Sequence, residues 1–166
     1  MNNFIIIGDI ILDQNIYTTI QNSKLKDYNV EYNLDYKEYK LGGCGNVANN
    51  LHYLGADNIY LFSAIGDDNN GKEIEKIVKS LDIHSFIQVV PSYNTTIKQR
   101  YYHNNAIVFQ HANMINKEKL LNYLFIIDIE KILLQTQINC IIICESEKSS
   151  IGILYLYANY STCKQI

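Results

Sequence analysis

The sequence predicts an α/β fold: a parallel sheet with helical crossovers, and a smaller β-sheet projecting from it. Short continuous apolar runs, such as Phe4-Ile5-Ile6-Ile7 and Ile59-Tyr60-Leu61-Phe62, alternate with amphipathic helical patterns. Such alternation implies parallel strands joined by helices. Between the first run and the first helix lies a Tyr- and Thr-rich segment of β character that stands outside the alternation. With 166 residues and 19.2 kDa, the chain is one domain, long enough to bury a core.

Phe4 to Ile7 reads as a strand buried on both faces, ending at Gly8-Asp9. Ligands of open α/β sheets lie beyond the carboxyl ends of strands, so Asp9 and Asp13 stand where chemistry is expected. Asp9 reads equally as a turn residue or cap. From Ile16 to Lys40 the alternation, as in Val30-Glu31-Tyr32-Asn33-Leu34, predicts two short strands leaving the main body. Val47, Leu51 and Leu54 fall at helical intervals, and Gly55 is a natural stop. Ile59 to Gly66 reads as a second buried strand, followed by the polar turn Gly66-Asp67-Asp68-Asn69-Asn70-Gly71. Ile74, Ile77, Val78 and Leu81 then form an apolar helical face. Phe86 to Val90 is a short strand before Pro91.

Thr95 to Tyr102 alternates in the β sense, His103-Asn104-Asn105-Ala106 has turn composition, and Ile107-Val108-Phe109-Gln110 resumes. This is a hairpin signal, and the hairpin is expected to pair with the 16–40 strands as a second sheet. Lys98 and Arg100 would then share a face, because side chains alternate along a strand. A solvated edge strand would present two such cations as well. Asn116 to Gln137 is the longest helical pattern, and Ile138 to Cys144 reads as a third core strand ending at Glu145, again an acid at a strand end. The tail from Ile151 to Ile166 has no coherent pattern.

The candidate site centres on Leu41-Gly42-Gly43-Cys44-Gly45-Asn46-Val47-Ala48, where three glycines fall within four residues and a helix begins at once. Glycines let the backbone approach a ligand, and the free N–H groups of a helix start point toward it. Asn46 can both donate and accept, which suits a hydroxyl-rich small molecule. The same stretch also reads as a plain turn before a helix. Arg100 is the only arginine in the chain. Either it marks a site that needs a planar fork, or its position is chance.

Composition excludes several classes. The net charge is −3 with no basic block, which argues against nucleic acid. No apolar run is long enough to span a bilayer. The start lacks a basic n-region, so a cytoplasmic protein is expected. Cys44, Cys140, Cys144 and Cys163 form no CxxC pair and have no histidine at ligand spacing. That pattern speaks against zinc and against a disulfide framework. Cys140 and Cys144 read as small hydrophobes in a strand.

Together these pieces resemble the ribokinase/PfkB family of carbohydrate kinases, most closely the heptose-7-phosphate kinase half of bacterial ADP-heptose synthases. The matching stretches are Gly8-Asp9-Ile10-Ile11-Leu12-Asp13, Gly42-Gly43-Cys44-Gly45-Asn46-Val47-Ala48, Leu54-Gly55-Ala56, Gly66-Asp67-Asp68 with Gly71, and Thr95-Thr96-Ile97-Lys98-Gln99-Arg100. They occur in the family's order. A fainter match runs from Ile142 to Lys148, where the family's Lys-Gly pair is Lys148-Ser149.

The resemblance implies a ribokinase-like three-layer α/β/α body with a small β-sheet lid built from about 14–40 and 95–110. It implies ATP- and Mg²⁺-dependent phosphoryl transfer to a sugar hydroxyl. Asp13, Gly42, Gly43 and Asn46 would bind sugar hydroxyls, and Lys98 and Arg100 would lie near a sugar-phosphate. Glu145 joins these candidates as the acid at the third strand's end. The lids of many members pair as homodimers.

The family's catalytic Asp lies in a Gly-Ala-Gly-Asp stretch that does not occur here. The expectation is therefore an incomplete, sugar-binding half over 1–166, without the nucleotide-binding half and inactive alone. Its partner would be a complementing half, or a second copy through the lid. The alternative is a non-catalytic sugar-phosphate-binding remnant. A half-domain exposes a sheet edge, which invites association. A Rossmann reading fits poorly, because the glycine spacing is not GxGxxG and the loop does not follow the first strand.

Overall fold

Strand β1 (Asn3–Gly8) is apolar because it is buried on both faces: Ile5 and Ile7 enter one core cluster and Ile6 the other. The structure, a computed structural model, describes residues 1–20, 31–113 and 126–144. After β1 come β2 (Ile10–Ile20), β3 (Tyr32–Gly43), α1 (Cys44–Tyr53), β4 (Asn58–Gly66), α2 (Asn69–Lys79) and β5 (His84–Val90). Then follow β6 (Ile97–His103), β7 (Ala106–Asn113), α3 (Ile126–Gln135) and β8 (Cys140–Cys144).

The body sheet has the order β5-β4-β1-β8, and each neighbouring pair is parallel. Cys44 and Ala48 of α1 and Ile74 and Val78 of α2 pack with Ile6, Ile59, Leu61 and Ile65 on one face. Ile129 and Ile132 of α3 pack with Ile5, Ile7 and Phe62 on the other. This is the expected α/β/α layering. Each buried isoleucine contributes roughly 1.5–3 kcal/mol relative to exposure.

The second sheet has the order β3-β2-β6-β7. β2 runs antiparallel to β3 and parallel to β6, and β6 runs antiparallel to β7. The β6–β7 hairpin turns at Asn104 and Asn105, with φ of 49° and 62°. Asparagine tolerates that left-handed pair, which suits a two-residue hairpin. The root of this lid joins the body's core, since Ile10, Leu12, Leu41 and Ile97 pack into the α1–α2 cluster.

Three expectations need correction. β2 begins at Ile10, so Asp13 lies inside a lid strand and not simply beyond the carboxyl end of β1. The 10–20 and 32–43 segments are long strands of 11 and 12 residues, not short ones. Cys140 is exposed, because β8 lies at the edge of the described sheet. Glu145, the Lys148-Ser149 match, the tail from 151 and the first part of the expected 116–137 helix lie outside the described residues. No helix among the described residues is long and apolar enough to cross a membrane.

Candidate functional site

Two polar joints hold the lid against the body. Ser63, wholly buried in β4, donates from Oγ to the Gly8 carbonyl at 2.7 Å and accepts from the Ile10 N–H at 3.1 Å. One hydroxyl thereby satisfies both backbone groups where the chain leaves one sheet and enters the other. The second joint is Asp68, the N-cap of α2. Its carboxylate accepts from the N–H groups of Gly71 and of Thr95, each at 2.8 Å. Thr95 Oγ1 in turn accepts from the Gly66 N–H at 2.9 Å. Burial alone would raise the Asp68 pKa. The hydrogen bonds from the Thr95 side chain and from the Gly71, Thr95 and Asn70 N–H groups outweigh it and hold the carboxyl below its ordinary value.

Register then fixes which lid side chains meet, because residues directly opposite across paired strands share a face. Nearest the root, Gly42 faces Ile11. One row out, Lys40, Asp13 and Lys98 stand side by side. The next row is Glu38, Asn15, Arg100 and Gln110, and the outermost is Tyr36, Tyr17 and Tyr102. The tyrosine rings stack across the strands, with centroids 4.3 and 5.0 Å apart.

The glycine loop closes the root. Gly43 caps α1 with φ 57° and ψ −137°, a region open essentially to glycine. A Cβ there would lie 2.1 Å from the Asp9 carbonyl oxygen. That carbonyl accepts from the Cys44 N–H at 3.0 Å. A Cβ on Gly42 would lie 2.9 Å from Asp13 Oδ2, so this glycine leaves the room the carboxylate uses. Asn46 is exposed on the first turn of α1, and no acidic side chain there offsets the positive helix end.

Charge on this face is mixed. Arg100 Nη1 reaches Asp13 Oδ1 at 3.0 Å, with the two side chains only 20% and 22% exposed. Lys40 pairs with Glu38 at 3.0 Å. That hydrogen bond holds the Glu38 carboxyl below its ordinary pKa and raises that of Lys40. Burial, followed by the Glu38 charge, raises the Tyr17 pKa. Lys98 forms no ion pair among the described residues. Cys44 is sealed beneath the loop, with Sγ 3.2 Å from the Gly8 carbonyl. Burial pushes its thiol well above the usual range, as for a structural cysteine packed in apolar surroundings. Among the described residues no group of three or more His, Cys, Asp or Glu side chains could hold a metal.

Of the sequence candidates, Asp13, Gly42, Lys98 and Arg100 come together on one lid face. Gly43 and Asn46 adjoin them through the loop and α1, and Glu145 lies outside the described residues. Asn15, Glu38 and Lys40 escaped the sequence reading. Counting by twos outward from Asp13 and back from Gly42 would have found them.

Comparison with known proteins bears on the family and the fold. The family described as pfkB family carbohydrate kinase matches residues 1–142. Bifunctional protein HldE of Paramagnetospirillum magneticum is 32% identical over 97 residues, covering 58% of this chain and 20% of that protein. A putative sugar kinase from Clostridium perfringens superposes with a TM-score of 0.66 at 18% identity, over 98% of this chain and 49% of the other. Escherichia coli phosphofructokinase-2 in complex with fructose-6-phosphate gives a TM-score of 0.65 at 14% identity, over 98% of this chain and 51% of that one. The fold is thus that of the ribokinase-like sugar kinases, and this chain spans about half of those structures.

Proposed function

The chain belongs to the pfkB family of carbohydrate kinases, and on that premise we propose that it forms the acceptor side of an ATP-dependent sugar kinase, binding a phosphorylated sugar beneath the lid. The observation that carries the reading is the convergence of Asp13, Gly42, Lys98 and Arg100 on one face, beside Gly43 and Asn46. Asp13 accepts hydrogen bonds from sugar hydroxyls. The loop at Gly42 and Gly43 lets backbone approach the ring, and Asn46 donates or accepts at its edge. Lys98, which has no carboxylate partner among the described residues, meets the phosphate together with Arg100. The likeness to HldE proteins puts heptose 7-phosphate first among the acceptors to test.

ATP with Mg²⁺ is the donor expected of the family. Mg²⁺ at such sites rests largely on the nucleotide's phosphates and one or two carboxylates. We assign no described residue to it. Phosphoryl transfer depends on positioning and on stabilising phosphate charge, and in our reading those groups come from a nucleotide-binding half outside these 166 residues, acting in the cytoplasm. The test is calorimetric melting with heptose 7-phosphate or fructose 6-phosphate, and separately with ATP and Mg²⁺. A sugar phosphate at a hundredfold excess over Kd stabilises by about 2.7 kcal/mol, a midpoint rise of roughly 5–10 °C for a domain of this size. No rise with any sugar phosphate refutes the acceptor site.

A second reading, a non-catalytic sugar-phosphate-binding protein that self-associates, draws on the opposite lid face. There Leu34, Tyr39 and Phe109 are exposed. It expects a concentration-dependent dimer in sedimentation that Phe109→Asp abolishes.

A further inference from the structure

Asn15 stands in the middle of the polar lid face and is only 8% exposed. Its Nδ2 lies at the long limit of a hydrogen bond, 3.5 Å from Glu38 Oε2, and its Oδ1 is buried with no donor among the described residues. An orphaned buried acceptor costs about 1–3 kcal/mol, and nine in ten buried polar groups have a partner. The register supplies the donor that is missing. Arg100 is directly opposite Asn15 on β6, yet its guanidinium leans one row toward the root, to Asp13. A carboxylate outcompetes a neutral amide for a guanidinium, because the bond is charge-assisted at both ends. With no other donor on Asp13 among the described residues, Arg100 sits there and leaves the amide empty.

We propose that Asn15 is the second seat of Arg100, a positioning residue that holds the guanidinium in the outer row once ligand hydroxyls occupy Asp13. This rests on the acceptor-site reading and narrows it. Adjacent rows on one strand face are two residues apart, roughly 6.5–7 Å. The preferred ligand therefore carries an anionic group about that far from the hydroxyl that engages Asp13. A sugar bearing a terminal phosphate fits this, and an unphosphorylated sugar gains nothing from the second seat. Lys98, in the Asp13 row on the same strand, closes the anion site from the root side.

The test uses the fact that Arg100 is the only arginine, so ¹⁵N-arginine labelling of the full chain gives a single Nε–Hε signal. In Asp13→Ala the signal is expected to stay shifted and slowly exchanging, held by Asn15. In the Asp13→Ala/Asn15→Leu double variant it should collapse to the position of free arginine. A free-arginine signal in Asp13→Ala alone overturns the proposal, and that arm does not depend on the Asn15 variant folding.

A second arm measures binding by titration calorimetry. Asn15→Leu should lower affinity for fructose 6-phosphate about tenfold, the value of one hydrogen bond to a charged group, and leave affinity for fructose unchanged. It should also raise the unliganded melting midpoint by removing the orphan. A higher midpoint with unchanged sugar-phosphate affinity also overturns the seat. If the arginine signal behaves as expected and no sugar phosphate binds wild type, the seat stands and the acceptor-site reading falls.

Discussion

Gly43→Ala separates a constrained loop from an ordinary turn. Its backbone, at φ 57° and ψ −137°, costs a residue with a Cβ about 1–3 kcal/mol. The added carbon would also lie 2.1 Å from the Asp9 carbonyl oxygen, so the loop must shift. That shift breaks the Cys44 N–H bond to Asp9 and leaves a donor unmet, about another 1–3 kcal/mol. The expected loss is therefore about 2–6 kcal/mol. Gly55→Ala is the internal control: its φ is +82°, but nothing lies within 4 Å of a new Cβ, so only the left-handed strain applies, about 1–2 kcal/mol. Gly42→Ala probes the site instead. Its Cβ meets the tip of the Asp13 side chain at 2.9 Å. That tip can swing, so the stability cost stays near 1 kcal/mol, the low end for overpacking. The swing moves Asp13 off Arg100 and weakens sugar-phosphate binding. Urea unfolding followed by circular dichroism gives the three values. If Gly43→Ala costs no more than Gly55→Ala, the close approach to Asp9 constrains nothing and the loop is only a turn.

Asp68→Ala removes an N-cap, worth about 1 kcal/mol, and leaves the Thr95 N–H unpaired, so a loss of about 2–4 kcal/mol in urea is expected. Because the folded pKa of Asp68 is lowered, its contribution is complete above the ordinary carboxylate pKa of about 3.9. The contribution fades as pH falls through the lower folded value. Asp68→Asn should flatten that part of the acid limb in a pH series of melts. Lys98→Met should weaken inorganic phosphate binding and reduce its salt dependence, read by calorimetry at two ionic strengths. Iodoacetamide should label the exposed Cys140 well before the sealed Cys44, whose burial raises its pKa; peptide mass spectrometry measures the order, and early labelling of Cys44 would mean the loop opens.

The body was legible in the sequence because its strands and helices differ in period. Ile5 and Ile7 facing one layer with Ile6 facing the other is what a continuous apolar run becomes when both faces are covered. Lys98 and Arg100 sharing a face followed from alternation alone. The start of β2 did not follow. Ile10-Ile11-Leu12 extends the apolar run of β1 with only Gly8-Asp9 between, and the group that separates the two strands, Ser63, is 55 positions away. The partners of Asp13 were hidden for a similar reason. Lys40 faces it only through the register of β2 against β3, and Arg100 reaches it from the next row, across a parallel pairing of distant strands. Local pattern reports period, whereas a site built from four strands depends on register, and register is set by bulges and by tertiary bonds.

The two joints hold the residues of the proposed site at the lid's root and not at its tip. Ser63 fixes where β2 departs from β1, and so sets the position of Asp13 three residues into that strand. The Asp68–Thr95 bond fixes where the chain enters β6, and so sets Lys98 and Arg100. The third side, the glycine loop, is fixed by the Cys44 bond to Asp9. All three anchors are buried or half-buried polar contacts at the same end of β1 and β4. Preorganisation of a binding group depends on how firmly its own strand is held, and these anchoring bonds lie within one or two rows of the body. The outer tyrosine row lies farther from these anchors, and its stacked rings stiffen the part of the lid that the body cannot reach. A ligand held by both the Asp13 row and the Arg100 row would therefore draw its orientation from the anchored root and its specificity from the less anchored row beyond it.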